Sequence, residues 1–239
     1  MRRSLATLSL IVSVSLVAAV PKHAPQKPAA AAKPAIFYDF KGARLGMSLA
    51  EWRAMPVLGQ NSLSGLGNSV IKFGPVRGVC AGDSGVDSLP MSFRTEAESK
   101  ANVVVCGYAY SEGIGTTTMW APASISIGEL SASDVEYKFL DDHLYEISVT
   151  GNARLLDEVM SGLRAKWGEP TTVVNDTTQN KAGATFPHTV RSWVNPAAII
   201  RVETPFSKID DLNVSYTTAA GLAKIDAIEK AMNPDINKM

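Results

Sequence analysis

The residue types best suited to bond-making chemistry occur in two short segments of this sequence. Gly82-Asp83-Ser84-Gly85 places a serine hydroxyl beside a carboxylate, and Asp141-Asp142-His143 places two carboxylates beside an imidazole. A serine acts as a nucleophile when a histidine base and an orienting acid lie next to it. An acidic pair with an imidazole can hold a cation or transfer protons. Ser84 and the Asp141-Asp142 turn are therefore the candidate reactive groups of a hydrolase.

The segment around Ser84 resembles the nucleophile loop of chymotrypsin-like proteases, but its catalytic partners are missing. In that family the histidine and the aspartate precede the serine by long stretches. Here the only histidine before Ser84 is His23, and Val86 stands in place of the second glycine. We interpret the segment as a turn-rich loop.

The acidic turn offers too few ligands for a metal site, because the only other histidine downstream is His188, in a different predicted loop. We interpret Asp141-Asp142-His143 as a solvated hairpin turn and predict neither a metal nor a cofactor. The lipase-type Gly-x-Ser-x-Gly elbow, the His-Glu-x-x-His zinc motif, the phosphate loop and the dinucleotide fingerprint are absent from the sequence.

Cys80 and Cys106 are the two cysteines of the chain. They are too far apart for a Cys-x-x-Cys redox motif, and two ligands alone do not make a zinc site. An even pair in an exported protein favours a structural disulfide.

Two of the four tryptophans are candidates for a partner contact. Trp52 and Trp167 fall at apolar positions of predicted helices, which favours a place in the core. Trp120, beside Ala121-Pro122, and Trp193, beside the Asn195-Pro196 turn, could lie at a surface. Exposed aromatic side chains dominate the energetics of many interfaces.

The best-specified elements are a hairpin and a helix in the middle of the chain. Apolar residues alternate in 135–139 and again in 145–149, which predicts two antiparallel strands joined at Asp141-Asp142. Asn152 can cap a helix whose apolar residues recur at helical spacing up to Trp167, where Gly168 and Pro170 end it.

Weaker patterns complete an α+β fold. Ser48 to Glu51 is a capping box that begins a short helix. Residues 171–174 read as a strand, 175–187 as a long polar connection, 190–202 as a hairpin and 221–232 as a helix. We predict an antiparallel sheet with helices packed on one face, with a hint of a duplicated strand-plus-helix unit.

The N-terminus is typical of an exported protein. Arg2 and Arg3 precede an uncharged apolar run, so residues 1–19 are predicted to be a signal peptide, with a retained anchor as the alternative. Residues 20–35 form a Pro/Ala-rich linker, and 36–239 form the α+β domain, as one body or as two lobes of about 36–130 and 131–239. We predict a periplasmic or secreted protein with no transmembrane segment after cleavage.

Charge and composition exclude some classes. The full chain has 23 basic and 23 acidic residues. Removal of the signal peptide takes away two arginines and leaves a net charge of about −2. No basic patch recruits nucleic acid, and the 46% of hydrophobic residues can form a sizeable core.

Several motifs are similar to those of known exported proteins. They are Phe40-x-Gly42-x-x-Leu45-Gly46-Met47-Ser48-x-x-Glu51, Tyr137-x-Phe139-x-Asp141-Asp142-x-Leu144, Lys166-Trp167-Gly168-Glu169-Pro170 and Asn180-x-x-Gly183-x-x-Phe186. They resemble patterns in small exported bacterial envelope proteins of unassigned function. They are also similar to β-lactamase-inhibitor-like and outer-membrane-assembly lipoprotein domains, although this chain has no lipobox cysteine. The resemblance implies an α+β envelope module that acts by binding and brings no catalytic residues.

The sequence thus favours an exported, non-catalytic binding or protein-interaction module of the cell envelope. Its partner would be an envelope protein or a small ligand. The alternative is a hydrolase that uses Ser84 or the Asp141-Asp142 turn.

Overall fold

The computed structural model describes residues 39–56, 72–73, 76–84, 86, 94–114, 117–123, 125–127, 130–132, 134–180 and 182–233. These residues belong to a single compact unit of the chain. The predicted signal peptide and linker lie outside the described residues. Within the described ranges, no helix combines the length and the apolar character that crossing a membrane requires.

Four α-helices and fourteen strands are present in these ranges. The helices are α1 (Leu49–Arg53), α2 (Glu96–Lys100), α3 (Leu156–Trp167) and α4 (Ala219–Met232), and a 3-10 turn at Ala153–Leu155 precedes α3. The strands are β1 (Asp39–Phe40), β2 (Ala43–Arg44), β3 (Lys72–Phe73), β4 (Arg77–Cys80), β5 (Val104–Ile114), β6 (Thr117–Pro122), β7 (Ile125–Ile127), β8 (Leu130–Ala132), β9 (Asp134–Leu140), β10 (His143–Asn152), β11 (Thr172–Gln179), β12 (Thr185–Val194), β13 (Ala198–Thr204) and β14 (Asp211–Thr218).

The largest sheet has ten strands, and its neighbouring strands run antiparallel. Its order is β11-β12-β13-β14-β10-β9-β5-β3, and β4 and β6 also pair with β5. The prediction of an α+β fold built on an antiparallel sheet is confirmed. β5 and β9 lie on either side of the suggested lobe boundary near residue 130, and they pair directly in this sheet.

The central hairpin forms as the alternation predicts. Val135 lies opposite Val149 and Tyr137 opposite Ile147, and all four side chains are buried. Asp141 and Asp142 have φ angles of 50° and 65°. This left-handed conformation suits a tight two-residue hairpin turn, and aspartate adopts it more readily than most residues.

The predicted helix after this hairpin is also confirmed. The Asn152 side chain accepts a hydrogen bond from the Arg154 backbone N–H at 3.0 Å, which caps the 3-10 turn that leads into α3. Met160 and Leu163 are buried on the side of α3 that faces the sheet. The helix ends at Gly168, whose φ of 78° is one that glycine adopts without strain.

The helices cover both faces of the sheet, instead of the single face that we expected. Trp52 of α1 packs on Tyr137 and Phe139 with ring centroids 5.1 and 5.8 Å apart, and Met160 and Leu163 of α3 belong to the same core cluster. A second cluster joins Ala97 of α2 and Ile225 of α4 to side chains on the opposite face, such as Val105 and Tyr145. Because side chains alternate along a strand, one sheet can bury a separate apolar core on each face.

One other expectation needs correction. The predicted polar connection 175–187 is instead the end of β11, a turn near Gly183 and the start of β12. β11 is an edge strand whose residues are exposed on both faces, so it lacks the apolar alternation that marks a half-buried strand.

Candidate ligand-binding pocket

The loop at Ser84 does not bring a nucleophile, a base and an acid together. The Asp83 carboxylate accepts hydrogen bonds from the Cys80 backbone N–H at 2.9 Å and from the Arg53 guanidinium at 2.8 Å. Burial alone would raise the pKa of Asp83, but these hydrogen bonds outweigh burial and lower it. Ser84 is exposed, and the side-chain hydrogen bonds of His143 and His188 go elsewhere. Asp83 therefore links the loop to α1 through its hydrogen bond with Arg53.

The acidic turn is a docking point for α4. Asp141 accepts a hydrogen bond on its carboxylate from the Lys224 ammonium at 2.6 Å. The Nδ1 of His143 lies 2.7 Å from the Asp141 carbonyl oxygen. Among the described residues, no group of three or more His, Cys, Asp or Glu side chains is arranged to hold a metal ion.

Cys80 and Cys106 form the predicted disulfide. They lie directly opposite each other on β4 and β5, and both are buried. The bond therefore fixes the register between these two strands.

Trp193 does not lie at a surface, contrary to the expectation for a partner contact. Its side chain is only 4% exposed, and its indole N–H donates a hydrogen bond to the Gly168 carbonyl at 2.8 Å. The reason is that the residue lies on the face of β12 that α3 covers. Trp120 lies on β6, and its side chain is outside the described part of the structure, so a partner contact there stays a prediction.

A concave site with a volume of about 330 Å³ lies between α3 and the sheet. Leu155, Val159, Leu163 and Trp167 line it from the helix side, each four residues from the next. Val149, Val214, Tyr216 and Phe40 line it from the sheet side. Pockets that bind small molecules have volumes of about 300 to 1,000 Å³ and mostly apolar walls. This pocket meets both criteria.

Gly162 forms part of the pocket wall. It lies inside α3 in a row with Glu158 and Lys166, which also line the pocket. A Cβ built at Gly162 would meet no atom within 4 Å, so close packing does not require a glycine there. Glycine in a helix interior costs about 1 kcal/mol relative to alanine. Gly162 therefore leaves one position of α3 that borders the pocket without a side chain.

Tyr216 provides a polar group in these apolar walls. Its ring centroid lies 6.3 Å from that of Phe40. Burial, with a smaller effect of the Asp39 charge, raises the pKa of Tyr216 to about 12, so the hydroxyl stays protonated at neutral pH. Within the described residues, this hydroxyl makes no hydrogen bond.

Charged groups lie along the pocket rim. Near the C-terminus of α3, the Lys166 ammonium is 3.3 Å from the Asp39 carboxylate and 5.0 Å from the centroid of the Trp167 ring. Glu158 lies two helical turns away, about 12 Å along the helix axis. The Lys166 ammonium, at the aromatic end of the pocket, is therefore paired with the Asp39 carboxylate.

A second polar cluster that sequence reasoning missed lies on the outer strands. His188 on β12 contacts the Asp176 carboxylate of β11 through Nδ1, and its Nε2 lies 3.1 Å from the Glu203 carboxylate of β13. The hydrogen bond to Asp176, followed by that to Glu203, raises the pKa of His188. When both ring nitrogens are protonated and each donates to a carboxylate, the imidazolium has no lone pair to act as a base. This cluster joins three strands and is not a catalytic pair.

The sequence contained one signal of the pocket, which was Gly162 in the middle of the predicted helix that ends at Trp167. It contained no signal of the pocket wall opposite α3, because Phe40 and Tyr216 come from distant parts of the chain. Comparison with protein-family models, with curated proteins and with solved structures finds no match for this chain. The resemblance to envelope domains therefore stays a prediction.

Proposed function

We propose that this protein is an exported, non-catalytic binding protein that takes a small apolar ligand in the pocket beneath α3. The observation that carries the proposal is the combination of a pocket of about 330 Å³ with a glycine, Gly162, at a helical position where nothing crowds the backbone. A large side chain there would narrow the pocket, and its absence leaves room for a ligand.

Export is supported by the N-terminal sequence and by the buried disulfide. Residues 5–20 follow two arginines as an uncharged apolar run, which is typical of a signal peptide. Cys80 and Cys106 form a disulfide, and such bonds persist mainly in oxidising compartments. The ligand would then be one that is present in the periplasm or outside the cell.

The test is fluorescence titration of the mature, oxidised protein with N-phenyl-1-naphthylamine, a neutral dye whose emission rises in apolar sites. We expect saturable binding to the wild type. Gly162→Leu should weaken this binding at least about tenfold, which corresponds to 1.4 kcal/mol, because the leucine side chain occupies the space that the dye needs.

The matched control is Ser161→Leu. Ser161 is exposed and does not line the pocket, so the variant adds the same side chain to the same helix on another face. Its dye affinity should equal that of the wild type. Equal loss of affinity in the two variants, or unchanged affinity in Gly162→Leu, would count against the pocket as the binding site.

A further inference from the structure

We infer that the pocket beneath α3 selects neutral, elongated apolar molecules that carry a hydrogen-bond acceptor oxygen, such as a ketone, ester or amide, and that the Tyr216 hydroxyl recognises this oxygen. The inference rests on the proposed function and adds the chemical class of the ligand. It follows from the placement of polar groups around the pocket.

The shape of the pocket favours an elongated molecule. The residues that line it on the helix side extend from Leu155, in the 3-10 turn, to Trp167 at the end of α3. At 1.5 Å per residue, this stretch of helix is about 18 Å long. The walls along it are leucine, valine and aromatic side chains, which bind a hydrocarbon chain through its apolar surface alone.

The acceptor is inferred from Tyr216. Its hydroxyl belongs to a side chain that lines the pocket, and it has no hydrogen-bond partner among the described residues. Because it stays protonated, it can donate a hydrogen bond. A ligand without an acceptor would remove water from this hydroxyl and give it no replacement, which is unfavourable.

The neutral charge is inferred from the rim. An anionic head group at the Tyr216 end would approach Asp39, whose charge acts on Tyr216. The nearby Lys166 is already paired with Asp39 at 3.3 Å, so it offers no unpaired positive charge. A charged head group drawn between apolar walls would also lose its hydration. A neutral oxygen avoids both costs.

The experiment is displacement of N-phenyl-1-naphthylamine by three molecules of equal chain length, octan-2-one, octane and octanoate, each below its solubility limit. We expect octan-2-one to bind more tightly than octanoate to the wild type. In Tyr216→Phe, which keeps the ring, affinity for octan-2-one should fall about threefold to tenfold, the effect of one neutral hydrogen bond. Affinity for octane should be unchanged.

The outcomes separate this inference from the proposed function. Suppose that the dye binds to the wild type and that Gly162→Leu prevents this binding, but Tyr216→Phe binds octan-2-one as tightly as the wild type does. The inferred ligand class is then wrong, whereas the proposal that the pocket is the binding site still stands. If octanoate binds as tightly as octan-2-one, the inference that the pocket selects neutral ligands is also wrong. If the dye does not bind to the wild type at all, both proposals are wrong.

Discussion

The Lys138 ammonium lies 2.7 Å from the Glu98 carboxylate, in a contact that joins β9 to α2. Both side chains are nearly buried, and the same Glu98 oxygen accepts a hydrogen bond from the Tyr145 hydroxyl at 2.7 Å. Glu146 contacts Lys138 at 3.1 Å on its other side. Two carboxylates therefore pair with one buried ammonium, and the Tyr145 hydroxyl donates a hydrogen bond to one of these carboxylates.

Replacement of Glu98 should strongly destabilise the protein. Glu98→Ala leaves Lys138 with one carboxylate, leaves the Tyr145 hydroxyl without its acceptor and removes the capping hydrogen bond to Thr95. We expect a loss of about 3 kcal/mol in the free energy of unfolding, typical of breaking a buried charge pair. Urea denaturation followed by circular dichroism measures it. Glu96→Ala is the control, since Glu96 forms only an exposed pair with Lys100 and should change stability by less than about 0.5 kcal/mol.

The same cluster should make the protein sensitive to acid. Burial alone would raise the pKa of Glu98, but the hydrogen bonds from Lys138 and Tyr145 outweigh burial and hold it below the ordinary 4.5. A carboxyl whose pKa is lower in the folded state stabilises the fold at pH values above its pKa in the unfolded state. This stabilisation is lost as the pH falls through its pKa in the folded state. Wild-type stability should therefore drop below about pH 4.5. Glu98→Gln should show a shallower drop, and identical pH profiles for the two proteins would disprove the assignment.

His188 should have the opposite pH dependence. Its pKa is raised above the ordinary 6.5 by Asp176 and then by Glu203. The stabilisation is complete at pH values below the pKa of this histidine in the unfolded state. It is lost as the pH rises through the pKa in the folded state. The wild type should have a higher unfolding free energy than His188→Asn, and this difference should be about 1 kcal/mol larger at pH 5 than at pH 9. A gain of this size is typical of a partly exposed charge pair. An equal difference at the two pH values would contradict this, and Glu203→Gln should reduce the effect.

The disulfide should contribute substantially to stability. Its cysteines are 26 residues apart, and closing a loop of this length stabilises a fold by about 3.5 kcal/mol through the entropy of the unfolded chain. We expect the double variant Cys80→Ala and Cys106→Ala to lose about this amount in urea denaturation. Reduction of the wild type with dithiothreitol should cause a similar loss. No further loss should occur when the double variant is treated with dithiothreitol.

Two glycines in helices should respond in opposite ways to alanine. Gly162→Ala places a methyl group in open space and should raise the unfolding free energy by about 0.5 to 1 kcal/mol. Gly221→Ala places one 2.7 Å from Tyr145 and should lower it by about 1 to 3 kcal/mol, because the neighbours must move. Thermal unfolding of both variants measures the difference. Destabilisation by Gly162→Ala would show that this glycine is needed for packing.

Local patterns predicted the elements whose signals lie within a few residues of one another. The β9–β10 hairpin and α3 were found because alternation, turn residues and a cap all occur between Val135 and Gly168. Only the first part of β11 was predicted, as the strand 171–174, because an edge strand that is exposed on both faces carries no alternation to mark the rest. The Glu98–Lys138 pair and the contact of Phe40 with Tyr216 join residues far apart in the chain, so no local pattern could reveal them.

The contacts of Asp39 and Phe40 determine where the chain enters the fold. Asp39 pairs with Lys166, and Phe40 lines the pocket, so the first described residues of the chain lie beside the pocket. α4, which ends at Met232, packs against the opposite face of the sheet. A reporter group attached at residue 39 would therefore lie beside the pocket, whereas one attached at residue 232 would lie on the opposite face of the sheet.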